Sequence, residues 1–155
     1  MLNRMHPGLV DFIRESNQIE GILREPTQNE IAAHEQLLKL PQLHPTTVGD
    51  FQAVIAPGKP IRERRGMNVC VGNFIAPEGG PGIVRRLERI LHKANYTSDD
   101  PWSVHVAFEL LHPYMDGNGR TGRAIWAWQM KGLGYDPFAL PFLHRFYYQT
   151  LEASR

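Results

Sequence analysis

Hydrophobic residues recur at helical spacing along most of this chain. Six stretches are predicted as helices, several of them with apolar side chains returning every three or four positions. They are residues 6–23, 31–40, 46–56, 83–94, 102–111 and 120–131. Residues 58–81 differ, because glycines and prolines surround a short apolar alternation of Met67, Val69 and Val71, with Phe74 beyond it. That segment predicts one or two short strands. The whole pattern indicates an all-α protein with a small β-hairpin.

Polar residues and glycines mark where these helices begin and end. Thr27 and Glu30 form a capping-box pattern, which predicts a helix start before Ile31. Gly21 suits the end of the first helix. We expect His34 and His44 at the surface. The final segment after Asp136-Pro137 should contribute mainly core residues, namely Phe142, Phe146, Tyr147 and Leu151.

Composition describes an ordinary soluble domain. The chain has 155 residues, 42% of them hydrophobic and 21% charged, with a net charge of +1. We therefore expect one domain, no nucleic-acid or membrane partner and a cytoplasmic location. Cys70 is the single cysteine, so no internal disulfide can form, and we expect it half-buried in a strand. We interpret Arg62, Arg64 and Arg65 as solvated charges in preference to a docking site.

The densest chemistry lies in residues 111–123, LHPYMDGNGRTGR. Pro113 ends one predicted helix, and a glycine-rich loop leads into the N-terminus of the next, where free N–H groups attract anions. His112 can accept a proton near neutral pH, Asp116 is a ligand of the kind Mg²⁺ prefers, and arginines match phosphate oxygens. Arg120 and Arg123 lie three residues apart, on roughly one helical face. A base, a carboxylate and a cationic cradle together indicate phosphoryl or nucleotidyl transfer.

Two other classes of function remain open on the residues alone. His105, Glu109 and His112 lie at helical spacing and include a Glu-x-x-His unit, as in metal-dependent hydrolases and oxidases. A di-iron bundle needs a second such unit, and the sequence offers no convincing one. We therefore prefer His105 as a buried, hydrogen-bonded histidine. A non-catalytic nucleotide-binding module is the other alternative, although it has no need of His112.

The segment HPYMDGNGRTGR resembles the signature of the Fic (filamentation induced by cAMP) family, H-x-F-x-D-G-N-G-R-x-x-R. Every polar and glycine position matches: His112, Asp116, Gly117, Asn118, Gly119, Arg120 and Arg123. The one departure is Tyr114, where the family usually has phenylalanine. The preceding WSVHVAFELL is similar to the family's lead-in helix.

This resemblance implies a single Fic domain over residues 1–155, with a core motif at 112–123, that transfers AMP from ATP to a Tyr, Ser or Thr hydroxyl of a protein. It implies that His112 is the base and that Asp116 binds Mg²⁺. It also implies that Gly117, Asn118 and Gly119 contact phosphate oxygens, Arg120 the β-phosphate and Arg123 the γ-phosphate. AMP removal and other phosphate-group transfers in the same site are alternatives within the family.

Two further segments gain meaning from the resemblance. Ser16, Glu20 and Gly21, within a helix at about 5–24, fit the family's inhibitory S/T-x-x-x-E-G/N motif. In autoinhibited members that glutamate pairs with the second motif arginine, which implies a Glu20–Arg123 pair here. Residues 60–78 are similar to the family's flap, whose strand edge can hold a target by main-chain bonds. Met67, Val69 and Val71 are the expected docking residues. Self-modification, a homo-oligomer and injection into a host cell are all compatible with the sequence.

Overall fold

A computed structural model describes residues 5–96 and 100–139 of the chain. Within them it contains six α-helices and one two-stranded antiparallel hairpin, so the predicted fold class is confirmed. The elements, in chain order, are α1 Leu9–Ile19, α2 Gln28–Leu38, α3 Pro45–Ile55, β1 Cys70–Val71, β2 Phe74–Ile75, α4 Pro81–Tyr96, α5 Pro101–Leu111 and α6 Asn118–Gly132. The expected core residues Phe142, Phe146, Tyr147 and Leu151 lie outside the described residues.

Helices α5 and α6 pack against each other at the centre of the fold. α4 covers α5, whereas α2 and α3 contact α6. The main hydrophobic cluster joins these helices through fully buried side chains such as Leu87, Phe108 and Ile125. Because the α5–α6 connection is the 112–117 loop, the packing of the two central helices fixes both ends of that loop.

Helix α1 packs through a second, smaller cluster of Leu9, Phe12 and Ile13 with Ile31 of α2 and Ala127 of α6. The helix ends at Ile19 with Glu20 as its C-cap, and Gly21 follows with a φ of 78°. Two main-chain bonds close the end: Gly21 N–H to the carbonyl of Gln18 at 2.9 Å and Ile22 N–H to that of Asn17 at 3.0 Å. This is a Schellman ending, as the glycine predicted.

The hairpin pairs Cys70 with Ile75 and Val71 with Phe74. It is shorter than the apolar alternation predicted, since Met67 and Val69 precede β1 and only Val71 lies in a strand. Cys70 is exposed, which corrects the expectation of a half-buried position. Each strand has only two residues, and Ile75 of β2 is 77% exposed.

Two polar residues expected at the surface are buried. His34 is 3% exposed, with its Nδ1 2.7 Å from the carbonyl of Glu30 and its ring edge-on to Phe51. Burial lowers the pKa of His34 to about 4. Arg62 is fully enclosed, whereas Arg64, Arg65 and His44 are exposed as predicted. Across residues 5–96 and 100–139, none of the helices combines the length and apolar character needed to span a membrane.

Candidate active site

His112 occupies the turn that ends α5. Its backbone is left-handed, with φ 51° and ψ 61°, and it is the one non-glycine residue with positive φ in the described part of the chain. Its N–H donates to the carbonyl of Phe108 at 2.9 Å, and Pro113 then prevents the helix from continuing. A non-glycine residue with this uncommon backbone conformation needs support from its surroundings, and such residues cluster at functional sites.

Asn118 gives the loop its shape. Its Oδ1 accepts the Tyr114 N–H at 2.8 Å, and its Nδ2 donates to the Tyr114 carbonyl at 2.8 Å. The side chain is 2% exposed, so both of its polar atoms are used inside the loop. Any contact of Asn118 with a phosphate would therefore come from its backbone N–H.

Asp116 lies at the exposed edge of the loop. Its Oδ1 accepts the N–H of Gly117 at 2.7 Å, and Gly117, with a φ of 80°, is the N-cap of α6. The main chain is anchored by Gln52, whose Nε2 donates to the carbonyls of Asp116 at 3.0 Å and Lys59 at 2.6 Å. Sequence reasoning missed Gln52, because nothing in the local pattern of α3 signals a partner 64 residues away.

Arg120 points into the protein from the first turn of α6. It is 6% exposed, and its Nη1 donates to the carbonyl of Ile55 at 3.0 Å. Burial lowers the pKa of Arg120, an effect opposed by the nearby charges of Asp116 and Glu20. Its Nε is buried with no hydrogen-bond partner among the described residues. The guanidinium therefore has one buried donor, close to the helix N-terminus, that no described residue uses.

Arg123 is 1% exposed and is held by α1. Its Nε donates to the Ser16 hydroxyl at 2.8 Å, and its Nη2 donates to the Ser16 carbonyl at 2.9 Å. Nη2 also lies 2.8 Å from Oε1 of Glu20, whose side chain is 36% exposed. The structure thus brings Ser16, Glu20 and Arg123 together across more than 100 residues of chain.

The Glu20 carboxylate lies over the first turn of α6. A Cβ added at Gly119 would collide with Glu20 Oε1 and would lie 3.0 Å from Nη1 of Arg123. The N-terminus of a helix carries unpaired N–H groups and a positive dipole end, which favour an anion. A carboxylate therefore already occupies the position in which the sequence predicts phosphate binding.

A buried network holds the end of α1 against α2. Asn17 Nδ2 donates to Glu30 at 2.9 Å, and Arg24 Nη1 lies 2.6 Å from the other Glu30 oxygen. That oxygen also accepts the Thr27 N–H, and Thr27 Oγ1 accepts the N–H of Glu30, so the predicted capping box is confirmed. Burial alone would raise the pKa of Glu30, but these bonds outweigh it and lower the pKa to about 2. Glu30 is therefore charged, and it positions the helix that carries Glu20.

The base of the flap lies against the loop at residues 112–117. The Arg62 N–H donates to the Pro113 carbonyl at 2.8 Å, and the Met115 N–H donates to that of Pro60 at 3.0 Å. Ile61 and Tyr114 form an antiparallel bridge between these bonds. Of the expected docking residues, Met67 and Val69 are half-buried and Val71 is exposed.

The sequence model of the Fic/DOC family matches residues 39–130. The chain belongs to the Fic/DOC family. The match covers the flap, the loop and α6 up to residue 130, whereas α1 with Ser16 and Glu20 lies outside it.

Relatives named protein adenylyltransferase Fic resemble this Fic domain over part of its length. The protein from Drosophila ananassae is 33% identical over 101 residues, and that from Drosophila sechellia 34% identical over 105. In both cases the similarity covers 59% of this chain but 20% of the relative. The chain therefore spans about a fifth of the length of these relatives.

Two solved structures of Fic-1 from C. elegans share the fold. One superposes with a TM-score of 0.68 at 20% identity, covering 97% of this chain and 59% of the other. The second gives a TM-score of 0.63 at 21% identity, covering 98% and 59%. At this identity the likeness concerns the fold alone, and it extends over α1.

Of the helical stripe formed by His105, Glu109 and His112, the first two residues lie within α5 and are buried against α6 in this Fic domain. His105 is 1% exposed, and burial lowers its pKa to about 3 although a hydrogen bond with the backbone of Gly122 opposes this. Gly122 lets α6 approach closely, since a Cβ there would collide with Glu109. His112 leaves the helical stripe through its left-handed backbone. Among the described residues, no three His, Cys, Asp or Glu side chains are grouped to hold a metal ion.

Tyr114, the departure from the family signature, is a core residue in the Fic domain. It is 2% exposed, packs near Phe108, and its hydroxyl has no hydrogen-bond partner among the described residues. Burial raises the pKa of Tyr114, so the hydroxyl stays neutral. Tyr114 is therefore a buried packing residue at the position where the family usually has phenylalanine.

Proposed function

We propose that this Fic domain is a protein adenylyltransferase that moves AMP from ATP to a Tyr, Ser or Thr hydroxyl of a target protein. The observation that carries the proposal is the anion-binding site at the start of α6, where Arg123 and the first helical turn already hold a carboxylate. His112 and Asp116 flank that site on the same loop. The names of the relatives from Drosophila support the same reaction.

In the proposed reaction His112 takes the proton of the acceptor hydroxyl as its oxygen attacks the α-phosphorus. The new P–O bond joins AMP to the target, and the bond to the β-phosphate oxygen breaks, so that pyrophosphate leaves with the electron pair. Charge that develops on the α-phosphate is stabilised by the N–H groups of residues 117–119. Arg120 and Arg123 bind the β- and γ-phosphates.

Asp116 fits the role of a magnesium ligand. Its carboxylate is exposed at the loop edge, and within the described part of the chain Oδ1 alone accepts a hydrogen bond, from the adjacent Gly117 N–H. Mg²⁺ in nucleotide sites commonly uses one or two carboxylates, substrate phosphates and water, so one available carboxylate oxygen suffices. When bound, the ion neutralises phosphate charge and helps pyrophosphate to leave.

Glu20 is proposed to be an inhibitory residue. It competes with the γ-phosphate for Arg123, and its carboxylate lies over Gly119, where a phosphate must approach the backbone. Ser16 and Gly21 support this arrangement, because Ser16 fixes Arg123 and Gly21 ends the helix so that Glu20 faces α6. ATP binding in a productive position therefore requires Glu20 to move.

The flap is the proposed docking surface for the target protein. Its strands are short and its tip is exposed, so main-chain groups are accessible to an extended segment. Val71, with the half-buried Met67 and Val69, offers apolar contacts beside this edge. The acceptor can also be a hydroxyl of the same chain or of a second copy.

AMP removal is the second candidate reaction. The Glu20 carboxylate is partly exposed beside the phosphate site, where it could hold a water for attack on an AMP-modified hydroxyl. The two reactions make opposite predictions for Glu20: removing it releases AMP transfer but abolishes AMP removal.

The deciding experiment incubates the protein with Mg²⁺, a cell lysate and ATP labelled either at the α- or at the γ-phosphate. The unaltered chain, Glu20→Gly and Glu20→Gly/His112→Ala are compared. We expect label on protein only from the α-position, strongest with Glu20→Gly, and reduced at least about a hundredfold by the second substitution, since general bases contribute that much. His44→Ala, at an exposed histidine, is the matched control for His112.

Each other result identifies a different function. Label from the γ-position would indicate a kinase. Absence of label with all proteins, together with loss of AMP from a modified target in the unaltered chain alone, would indicate AMP removal. Nucleotide binding without either activity would indicate a binding module.

A further inference from the structure

Arg62 is the most connected side chain at the base of the flap. Its Nε donates to the carbonyl of His112 at 2.7 Å and its Nη2 to that of Leu111 at 2.8 Å. Its Nη1 donates to the carbonyls of Met67 at 3.1 Å and Pro77 at 2.7 Å. One guanidinium thus joins the end of α5 to both sides of the flap.

No carboxylate neutralises this cation in the part of the chain that the structure describes. The side chain is fully buried, and burial lowers the pKa of Arg62. Its charge is compensated by four carbonyl dipoles, two of them at the C-terminus of α5, where the helix dipole favours a cation. Burying a charge destabilises the folded protein unless hydrogen bonds compensate it. Loss of any of the four bonds would therefore leave the Arg62 charge less well compensated.

The main chain of Arg62 makes the same connection. Its N–H donates to the Pro113 carbonyl, and its carbonyl accepts the Gly80 N–H at 2.9 Å. Arg62 therefore contacts the loop on one side and the return of the flap on the other through six hydrogen bonds. The peptide unit of His112, with its left-handed φ, is one of the groups it holds.

We propose that Arg62 is a positioning residue that makes the flap and His112 one rigid unit, so that a target segment bound to the flap presents its hydroxyl to the His112 imidazole. This inference rests on the proposed AMP transfer. Arg62 touches neither ATP nor target in this role. It acts by fixing the carbonyl, and thereby the backbone conformation, of His112 relative to the strand edge of the flap.

The geometry explains why arginine is needed. Leu111 and His112 lie on one side of the guanidinium, and Met67 and Pro77 are reached from Nη1. A planar fork can donate in these directions at once, whereas a lysine ammonium is a single point with three donors. Arg62→Lys keeps the charge but cannot span all four carbonyls.

The test compares Arg62→Lys with Arg64→Lys, both in the Glu20→Gly background. Arg64 is exposed two residues further along the same segment, so it controls for the chemical change. Transfer of the α-label to protein is measured against ATP concentration and against pH, with the dissociation constant of Mg²⁺–ATP determined separately. Amide hydrogen exchange is followed in peptides covering residues 74–80 and 111–116.

For Arg62→Lys we expect at least a tenfold lower kcat, an unchanged KM for ATP and Mg²⁺–ATP affinity within twofold of the Glu20→Gly protein. Exchange should accelerate together in both peptides, and Arg64→Lys should change none of these quantities. Transfer within twofold of the Glu20→Gly protein would overturn the inference. So would faster exchange in the flap alone, or a loss of ATP affinity as large as the loss of rate.

Two further outcomes are separable. If Glu20→Gly transfers no AMP, the proposed function fails, and the exchange data alone decide whether Arg62 couples the flap to the loop. If Arg62→Lys does not fold, hydrogen exchange of two amides in the unaltered chain tests whether the flap and the loop open together. The Met115 and Gly80 N–H groups should then show protection factors within threefold of each other, and a difference above tenfold would overturn the inference.

Discussion

Arg62 and Arg123 are both enclosed arginines beside the candidate active site, but different groups neutralise them. Arg62 is 0% exposed and donates to main-chain carbonyls, whereas Arg123 is 1% exposed and uses Ser16 together with the Glu20 carboxylate. The carbonyls of Leu111 and His112 belong to the central packing of α5. Glu20, in contrast, is the C-cap of a helix attached through a small cluster, and its side chain reaches solvent.

This difference separates a permanent contact from an exchangeable one. Carbonyl groups that are part of α5 cannot leave Arg62 without disrupting the helix end. A carboxylate on a partly exposed side chain can be replaced at Arg123 by another anion, provided that this anion neutralises the buried charge equally well. A nucleotide phosphate meets that condition. The contacts of Arg62 are therefore a fixed part of the site, whereas another anion can compete with the Glu20 carboxylate for Arg123.

The largest effect is expected from Arg123→Met in the Glu20→Gly background. The γ-phosphate would lose its buried cation, so AMP transfer should fall about a hundredfold or more, with weaker Mg²⁺–ATP binding. Calorimetric titration with Mg²⁺–ATP and the α-label assay measure the two quantities. Arg89→Met, at an exposed position of α4, is the control. Unchanged ATP affinity would remove Arg123 from the phosphate site.

Glu20→Gln tests the exchangeable contact itself. The amide fills the same volume and retains hydrogen bonding, but it no longer neutralises Arg123. Charged hydrogen bonds contribute about 1.5–3 kcal/mol, so AMP transfer should rise roughly tenfold or more above the unaltered chain. Glu88→Gln on the exposed face of α4 should have no effect. A rise with Glu20→Gly but none with Glu20→Gln would mean that volume, and not charge, blocks the nucleotide.

Gly119→Ala tests whether displacing the Glu20 carboxylate is enough to increase AMP transfer. The new Cβ collides with the Glu20 carboxylate and also fills the space through which a phosphate approaches α6. We expect hydrogen exchange in residues 16–24 to accelerate about tenfold without any gain in AMP transfer, because both anions lose the same position. Gly132→Ala has open space around its Cβ and serves as the control. Increased transfer by Gly119→Ala would show that phosphates bind elsewhere.

Local patterns predicted the elements of the fold well. The capping box at Thr27, the glycine ending after Glu20 and the proline stop after His112 are each encoded within a few residues. The anion site at α6 was equally predictable, since its donors and arginines lie in one short segment. These features depend on the local backbone preferences of a few adjacent residues, which can be identified in a single sequence.

The partners of isolated polar residues were not predictable. Arg62 lies in a basic run and His34 on a helix, and both positions are usually exposed. In the structure Leu111 contacts Arg62 and Phe51 contacts His34, and both partners are distant in sequence. Gln52 likewise donates to the carbonyl of Asp116, 64 residues away, and Asn118 bonds to Tyr114 within a loop whose conformation the sequence does not reveal. Whether a polar side chain is buried depends on its partners, and these are set by tertiary structure.

The smallest expected effect concerns Glu30, which holds the end of α1, next to Glu20, against α2. Its pKa of about 2 lies below the usual 4.5, so its charge stabilises the fold above about pH 4.5, and this contribution disappears as pH falls toward 2. Glu30→Gln retains part of the bonding to Asn17 and Thr27, so we expect a loss of about 1 kcal/mol, or roughly 2–4 °C in Tm, at pH 7.

The pH dependence of that loss distinguishes charge from packing. Thermal unfolding measured between pH 7 and pH 2.5 should show the difference between Glu30→Gln and the unaltered chain shrinking with acid. Buried His34, with its pKa lowered to about 4, also destabilises both proteins as pH falls below 6.5. Because the Glu30 charge raises the pKa of His34, His34→Gln is placed in both proteins to remove this effect from the difference. Glu35→Gln on the same helix controls for the substitution. A constant difference across the pH range would assign the effect to packing, and the anchor of α1 would then be independent of the Glu30 charge.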